Sequence, residues 1–143
     1  LGTDLLVAPM IDPSGRRDVY LPAGEWVDYW TGTVVSGARH VRVHQPIDRV
    51  PLYVRRDALI PVTGPVDALG AGPFAELTIV SWGGGPGSTV IHDVDGDTVV
   101  TATRDGDALR VDTSGPARVS TVEVVALAEA PSTVLLNGSV VSP

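Results

Sequence analysis

Residues 17–30 read Arg17-Asp18-Val19-Tyr20-Leu21-Pro22-Ala23-Gly24-Glu25-Trp26-Val27-Asp28-Tyr29-Trp30, two short runs rich in β-branched and aromatic residues on either side of Pro-Ala-Gly. Pro22 presets φ, and Gly24 is free to take φ > 0, so the triplet suits a chain reversal between two strands. If Glu25–Trp30 is a strand, Trp26, Asp28 and Trp30 share one face and Val27 and Tyr29 the other.

The same punctuation continues outward. Pro13-Ser14-Gly15 reverses an apolar opening, Leu5-Leu6-Val7-Ala8, into Arg17–Leu21; His40–His44, Pro51–Val54 and Leu59–Val62 follow. That opening has no lead-in, which reads as a fragment of a longer chain. No stretch sustains helical periodicity over three turns: Val66–Leu77 contains Gly70, Gly72 and Pro73, at roughly 1 kcal/mol per Gly and 3 per Pro inside a helix. Residues 64–73 therefore read as a linker between a proximal domain, 1–63, and a distal domain, 74–143. Distal strands are expected at Ala75–Trp82, Thr89–His92, Val99–Thr103, Leu109–Thr113, Val119–Leu127 and Thr133–Leu136. Asp105-Gly106 suits a type I′ hairpin turn and Asn137-Gly138 marks another, while Gly83-Gly84-Gly85-Pro86-Gly87 reads as a flexible connection. The expected fold is all-β, two small antiparallel β-sandwich domains.

Composition removes several functions. The formal charge is −7 with ten Arg and no Lys, and the cations look scattered along the sequence, so the basic patch that nucleic acid needs is not expected. Without Cys there is no disulfide framework, thiolate nucleophile or Cys-type zinc site. No apolar run approaches the ~20 residues that span a bilayer. The compartment stays open, leaning to cytoplasm.

The residues that carry chemistry elsewhere are present here without their patterns. Asp93, Asp95 and Asp97 alternate through an Asp-Gly turn, but a calcium loop counted from Asp93 would need Gly and Glu where Thr98 and Arg104 stand. On a strand His40 and His44 share a face ~13 Å apart, too far for one metal. Gly83–Gly87 lacks the Lys and helix of a phosphate loop, and no Gly-x-Ser-x-Gly elbow occurs. No catalytic residue, metal ligand or cofactor is therefore expected. The carbohydrate-binding candidates are Trp26 and Trp30, whose flat faces suit pyranose C–H surfaces; the alternative is a packing surface.

Three ordered blocks carry a resemblance: Gly2-Thr3-Asp4-Leu5-Leu6-Val7-Ala8-Pro9; Val19-Tyr20-Leu21-Pro22-Ala23-Gly24-Glu25-Trp26-Val27-Asp28-Tyr29-Trp30-Thr31-Gly32; and Ile47-Asp48-Arg49-Val50-Pro51-Leu52-Tyr53-Val54-Arg55 with Leu59-Ile60-Pro61. They resemble the region that follows the barrel in family 31 glycoside hydrolases, which include α-glucosidases and α-xylosidases. His92-Asp93-Val94-Asp95-Gly96-Asp97-Thr98 is similar to the family's acidic distal turn, with His and Val as departures. The resemblance implies a retaining α-glycosidase whose nucleophile and acid/base are both Asp in a (β/α)₈ barrel, and the motifs that carry them are absent from this chain. It makes the chain a non-catalytic region whose partner is the barrel of the same polypeptide. The alternative is a carbohydrate-binding sandwich with an oligosaccharide as partner. Neither reading involves nucleic acid or membrane.

Overall fold

The computed structural model describes residues 2–65, 72–74, 76–125, 131–136 and 139–141. Fourteen strands and no helix occur among them: β1 Leu5–Val7, β2 Arg16–Leu21, β3 Glu25–Asp28, β4 Val34–Ser36, β5 Arg39–His44, β6 Leu52–Arg55, β7 Leu59–Val62, β8 Leu77–Trp82, β9 Gly87–Asp93, β10 Gly96–Asp105, β11 Ala108–Ser114, β12 Val119–Val125, β13 Val134–Leu136 and β14 Ser139–Val141.

The proximal unit packs the antiparallel sheet β1-β6-β3-β4 against the two-stranded ribbon β2-β5. Alternation decides what is buried. Val19 and Leu21 of β2 and Val43 of β5 point inward and meet Ala8, Trp26 and Tyr53. Gly15 (φ +67°) and Gly24 (φ +117°) make the two reversals expected from the Pro-x-Gly triplets.

The distal unit packs β11-β10-β9 against β12-β8-β7 around Leu59, Leu77, Ile79, Ile91, Val100 and Ala102. Its membership corrects the boundary expected at 64–73: β7, placed before that linker, pairs with β8 from Leu59↔Ser81 to Val62↔Thr78. A tight turn causes this. Asp57 sits at φ +68° and the Ala58 amide donates to Arg55 O at 3.1 Å, so the chain leaves β6 and enters the distal sheet within three residues. Pro61 is tolerated because β7 is an edge strand, bonded on one side only. Residues 66–71 of the expected linker lie outside the described residues, as does the Asn137-Gly138 turn.

Two details depart from the expected hairpins. β12 runs parallel to β8, with a register shift between Val119 and Thr121. The β10–β11 loop is Gly106-Asp107, closed by Asp105↔Ala108. Only Gly106 has positive φ there, which is the φ pattern of type II′ and not I′.

A third cluster joins the two units: Val27 and Val54 from the proximal sheet, Ala58 from the turn and Trp82 from β8, with Leu5, Ile60, Val80 and Val125 against it. Val27 and Val54 are fully buried, each worth about 1.5–3 kcal/mol over an exposed side chain. The proximal sheet is therefore covered on both faces, by its own ribbon on one side and by the distal sheet on the other.

Candidate functional site

The aromatic residues singled out by the sequence do not share one exposed face. Trp26 is 2% exposed, in the proximal core. Its indole N–H donates to Pro22 O at 2.9 Å and its ring lies under the Arg55 guanidinium, 4.7 Å from the centroid. Arg55 also donates to Thr3 O and Ala23 O, both at 3.3 Å. A β-carbon on Gly24 would stand 2.7 Å from Arg55 Nη1, so glycine there accommodates the arginine as well as the turn.

Trp30 is 45% exposed because β3 stops before it. Asp28 Oδ1 accepts the amides of Trp30 (2.9 Å) and Thr31 (3.0 Å), the Gly32 amide returns to Asp28 O at 2.8 Å, and Gly32 takes φ +70°. A short carboxylate that binds the backbone two and three residues on is a competitor to strand pairing. The Asp28-to-Gly32 spacing was the signal for this turn, and strand alternation through Trp30 overlooked it.

The turn assembles an aromatic cluster at the junction. Trp30 Nε1–H donates to Val50 O at 2.7 Å, fixing the ring. Arg49 lies over the indole at 5.2 Å, and Tyr29 meets Trp30 edge-on at 5.1 Å. Tyr29 also stacks, tilted, on Trp82 at 5.3 Å, which ties the turn to the distal sheet. Tyr29, Arg49 and Trp82 were not among the expected site residues. Val50, whose carbonyl holds the indole, is 37% exposed, so Tyr29, Trp30 and Val50 give an apolar surface with one cation over its largest ring. Below it, burial and the neighbouring Asp28 charge push the Tyr53 hydroxyl pKa up.

The acidic distal turn is a structural hairpin. Asp93 Oδ2 accepts the Phe74 amide at 2.9 Å and Oδ1 the Val94 amide at 2.7 Å, while Asp97 Oδ1 meets His92 Nδ1 at 2.8 Å. Asp95 remains on the rim of a cleft of about 220 Å³ lined by Phe74, Asp93, Pro116 and Arg118. Among the described residues no group of three His, Cys, Asp or Glu side chains could hold a metal ion, and no helix is long and apolar enough to cross a membrane.

Carboxyls with a clear shift go the wrong way for a general acid, which needs a raised pKa. Bonds from Ser14, from Arg42 and from Arg110 hold Asp12, Asp18 and Asp112, respectively, below the ordinary range.

The family description Glycosyl hydrolase family 31 C-terminal domain matches residues 1–60. The chain carries a family 31 C-terminal domain. Alpha-glucosidase 2 of Bacillus thermoamyloliquefaciens is 32% identical over 114 residues, 78% of this chain and 14% of that protein. An alpha-xylosidase of Saccharolobus solfataricus is 40% identical over 65 residues, 44% of this chain and 9% of that protein. The cycloalternan-forming enzyme of Listeria monocytogenes superposes with a TM-score of 0.78 at 27% identity over 99% of this chain and 14% of its own. The family 31 region thus spans a small fraction of the relatives it matches, and the structural likeness extends through the distal unit.

Proposed function

We propose that the two sandwiches are a non-catalytic accessory region of a retaining α-glycosidase, packed against the catalytic barrel of the same polypeptide and stabilising it. The observation that carries this reading is the exposed cluster of Tyr29, Trp30 and Val50, held rigid by Asp28 and the Val50 carbonyl. Contiguous exposed apolar surface rimmed by polar groups marks an interface. Its position at the junction, where Tyr29 reaches Trp82, suits a surface that must keep two sandwiches fixed against a third body. The family 31 match and the glycosidase names of the relatives support the parent activity.

The isolated chain is expected to hydrolyse neither aryl α-glucosides nor aryl α-xylosides; turnover that tracks the purified chain would overturn the reading. Freed of its barrel, the chain should self-associate through the cluster, and Trp30→Ser with Val50→Ser should reduce that in sedimentation velocity. A clean wild-type monomer at high concentration would count against the surface. The exposure of Trp30 favours a second reading, a sugar platform, although Arg49 already lies over the ring. Saturable Trp30 shifts with maltose, isomaltose or xylo-oligosaccharides would promote it.

A further inference from the structure

The cations are not scattered once the chain is folded. Arg16, Arg17, Arg39 and Arg42 lie on β2 and β5 with Asp18 as the sole acid, so this ribbon carries +3 with neutral histidines. The whole chain carries −7, which leaves −10 on everything else. The register pairs Arg16 with His44, Asp18 with Arg42 and Tyr20 with His40. These six side chains share the outward face, because Val19, Leu21 and Val43 fill the inward one; Arg17 and Arg39 pair with Val43 and Leu21 on that inward side, so the outward face itself carries +1 with neutral histidines. Same-face neighbours repeat every ~6.8 Å along a strand.

Two kinds of recognition surface adjoin on that face. Arg16, Asp18 and Arg42 of that face line a groove of about 240 Å³, to which Arg17, on the inward side of β2 opposite Val43, also contributes. Asp18 takes two N–H groups of Arg42, at 2.8 and 3.0 Å, and Arg17 donates to Pro9 O; the Arg16 guanidinium has no partner among the described residues. Guanidinium forks match carboxylate or sulfate oxygens two at a time. One step along, Tyr20 is 52% exposed with its ring 5.1 Å from that of His40 and inclined to it by 55°, an aromatic pair beside the cationic groove.

We propose that the outward face of the β2–β5 ribbon binds acidic saccharides, with a sugar ring on Tyr20 and His40 and a carboxylate or sulfate substituent in the Arg16–Arg42 groove. The Arg16 guanidinium, with no partner among the described residues, selects an acidic substituent, and the aromatic pair selects a ring with apolar C–H faces. An extended polyanion is disfavoured by the −10 elsewhere, whereas at 0.1 M salt repulsion beyond ~10 Å is screened and hydrogen-bond contacts are not. The proposal uses none of the junction residues and stands apart from the accessory role.

The test is calorimetric titration of the whole chain at 0.1 M salt with trigalacturonate and with a sulfated isomaltotriose, against neutral isomaltotriose. Both acidic sugars should bind saturably and the neutral one not. Losing a charge-assisted fork in Arg16→Ser should weaken binding about tenfold, and Asp18→Asn, which frees Arg42, should strengthen it, with melting temperatures confirming folded variants. Equal binding of the neutral sugar, indifference to both substitutions, displacement by equimolar inorganic sulfate, or equal affinity for a short oligodeoxynucleotide would each overturn the proposal.

Discussion

Replacing Gly85 by Ala tests how the two sandwiches are fastened. A β-carbon at Gly85 would stand 2.1 Å from Asp57 Oδ1 and 2.2 Å from its Cγ, and one at Gly83 would stand 3.0 Å from the same oxygen. An overlap beyond 1 Å against a carboxylate, on a residue already at φ +68°, forces side chain or turn to move. Overpacking of this kind costs about 1–3 kcal/mol. Removing the obstacle should remove the cost. Asp57→Gly deletes the carboxylate and relieves a left-handed conformation that costs a non-glycine residue ~1–2 kcal/mol. It should therefore be neutral or stabilising alone and should reduce the penalty of Gly85→Ala to about 0.5 kcal/mol or less. Urea unfolding followed by Trp fluorescence gives the four stabilities of the double-mutant cycle. Additive effects, with Gly85→Ala equally costly in both backgrounds, would refute close packing as the reason for the glycine run.

Leu59→Ala removes a 2%-exposed side chain from the distal core and should cost roughly 2–5 kcal/mol. Amide shifts should concentrate in β8 and β10; concentration in β2 and β5 would refute its membership. Ser81 is fully buried and its hydroxyl has no hydrogen-bond partner among the described residues, so Ser81→Ala should leave stability unchanged or raise it by up to ~1 kcal/mol. A fall in Tm would reveal a missed partner. Asp18 and Asp112 are lowered from 3.8 by Arg42 and Arg110, so their contribution is full above that value and lost as pH falls through the lower folded values. The urea midpoint should hold from neutrality to about pH 5 and drop below it, and Arg42→Gln should flatten part of that drop. The Tyr53 hydroxyl is raised from 10.0, chiefly by burial, so stability should fall as pH climbs past 10.0, and less in Tyr53→Phe.

The strands and most reversals were legible because they rest on local chemistry. Alternation of Val19 and Leu21 against their polar neighbours decides which face of β2 is buried, and Gly15 and Gly24 take the φ that made them useful. Partner choice was not legible. Nothing within Leu59–Val62 says that its ladder lies with Leu77–Trp82 across the intervening segment. The Trp26 face misled for a related reason: β3 has a core on either side, so Trp26 and the adjacent Val27 are both buried and alternation does not separate core from surface. The glycine run was read by composition as slack, whereas three of its glycines lie against Asp57. The cationic face of the ribbon was invisible because its arginines come from two segments of the chain and meet only across the β2–β5 ladder.

The parallel pairing of β12 with β8 sets an order of events in time. Its two strands join Val119 to Leu77 and Val125 to Trp82, with the β9, β10 and β11 meander between them. Hairpins such as β10–β11 close locally in about 1–10 μs. The β8–β12 ladder must wait for the meander to be accommodated, a nonlocal closure that slows folding. On the ribosome β7 and β8 emerge well before the strand that completes their sheet. Until Val125 is free of the exit tunnel, the edge of β8 that takes β12 keeps its backbone N–H and C=O groups unpaired, and a chaperone would find them there.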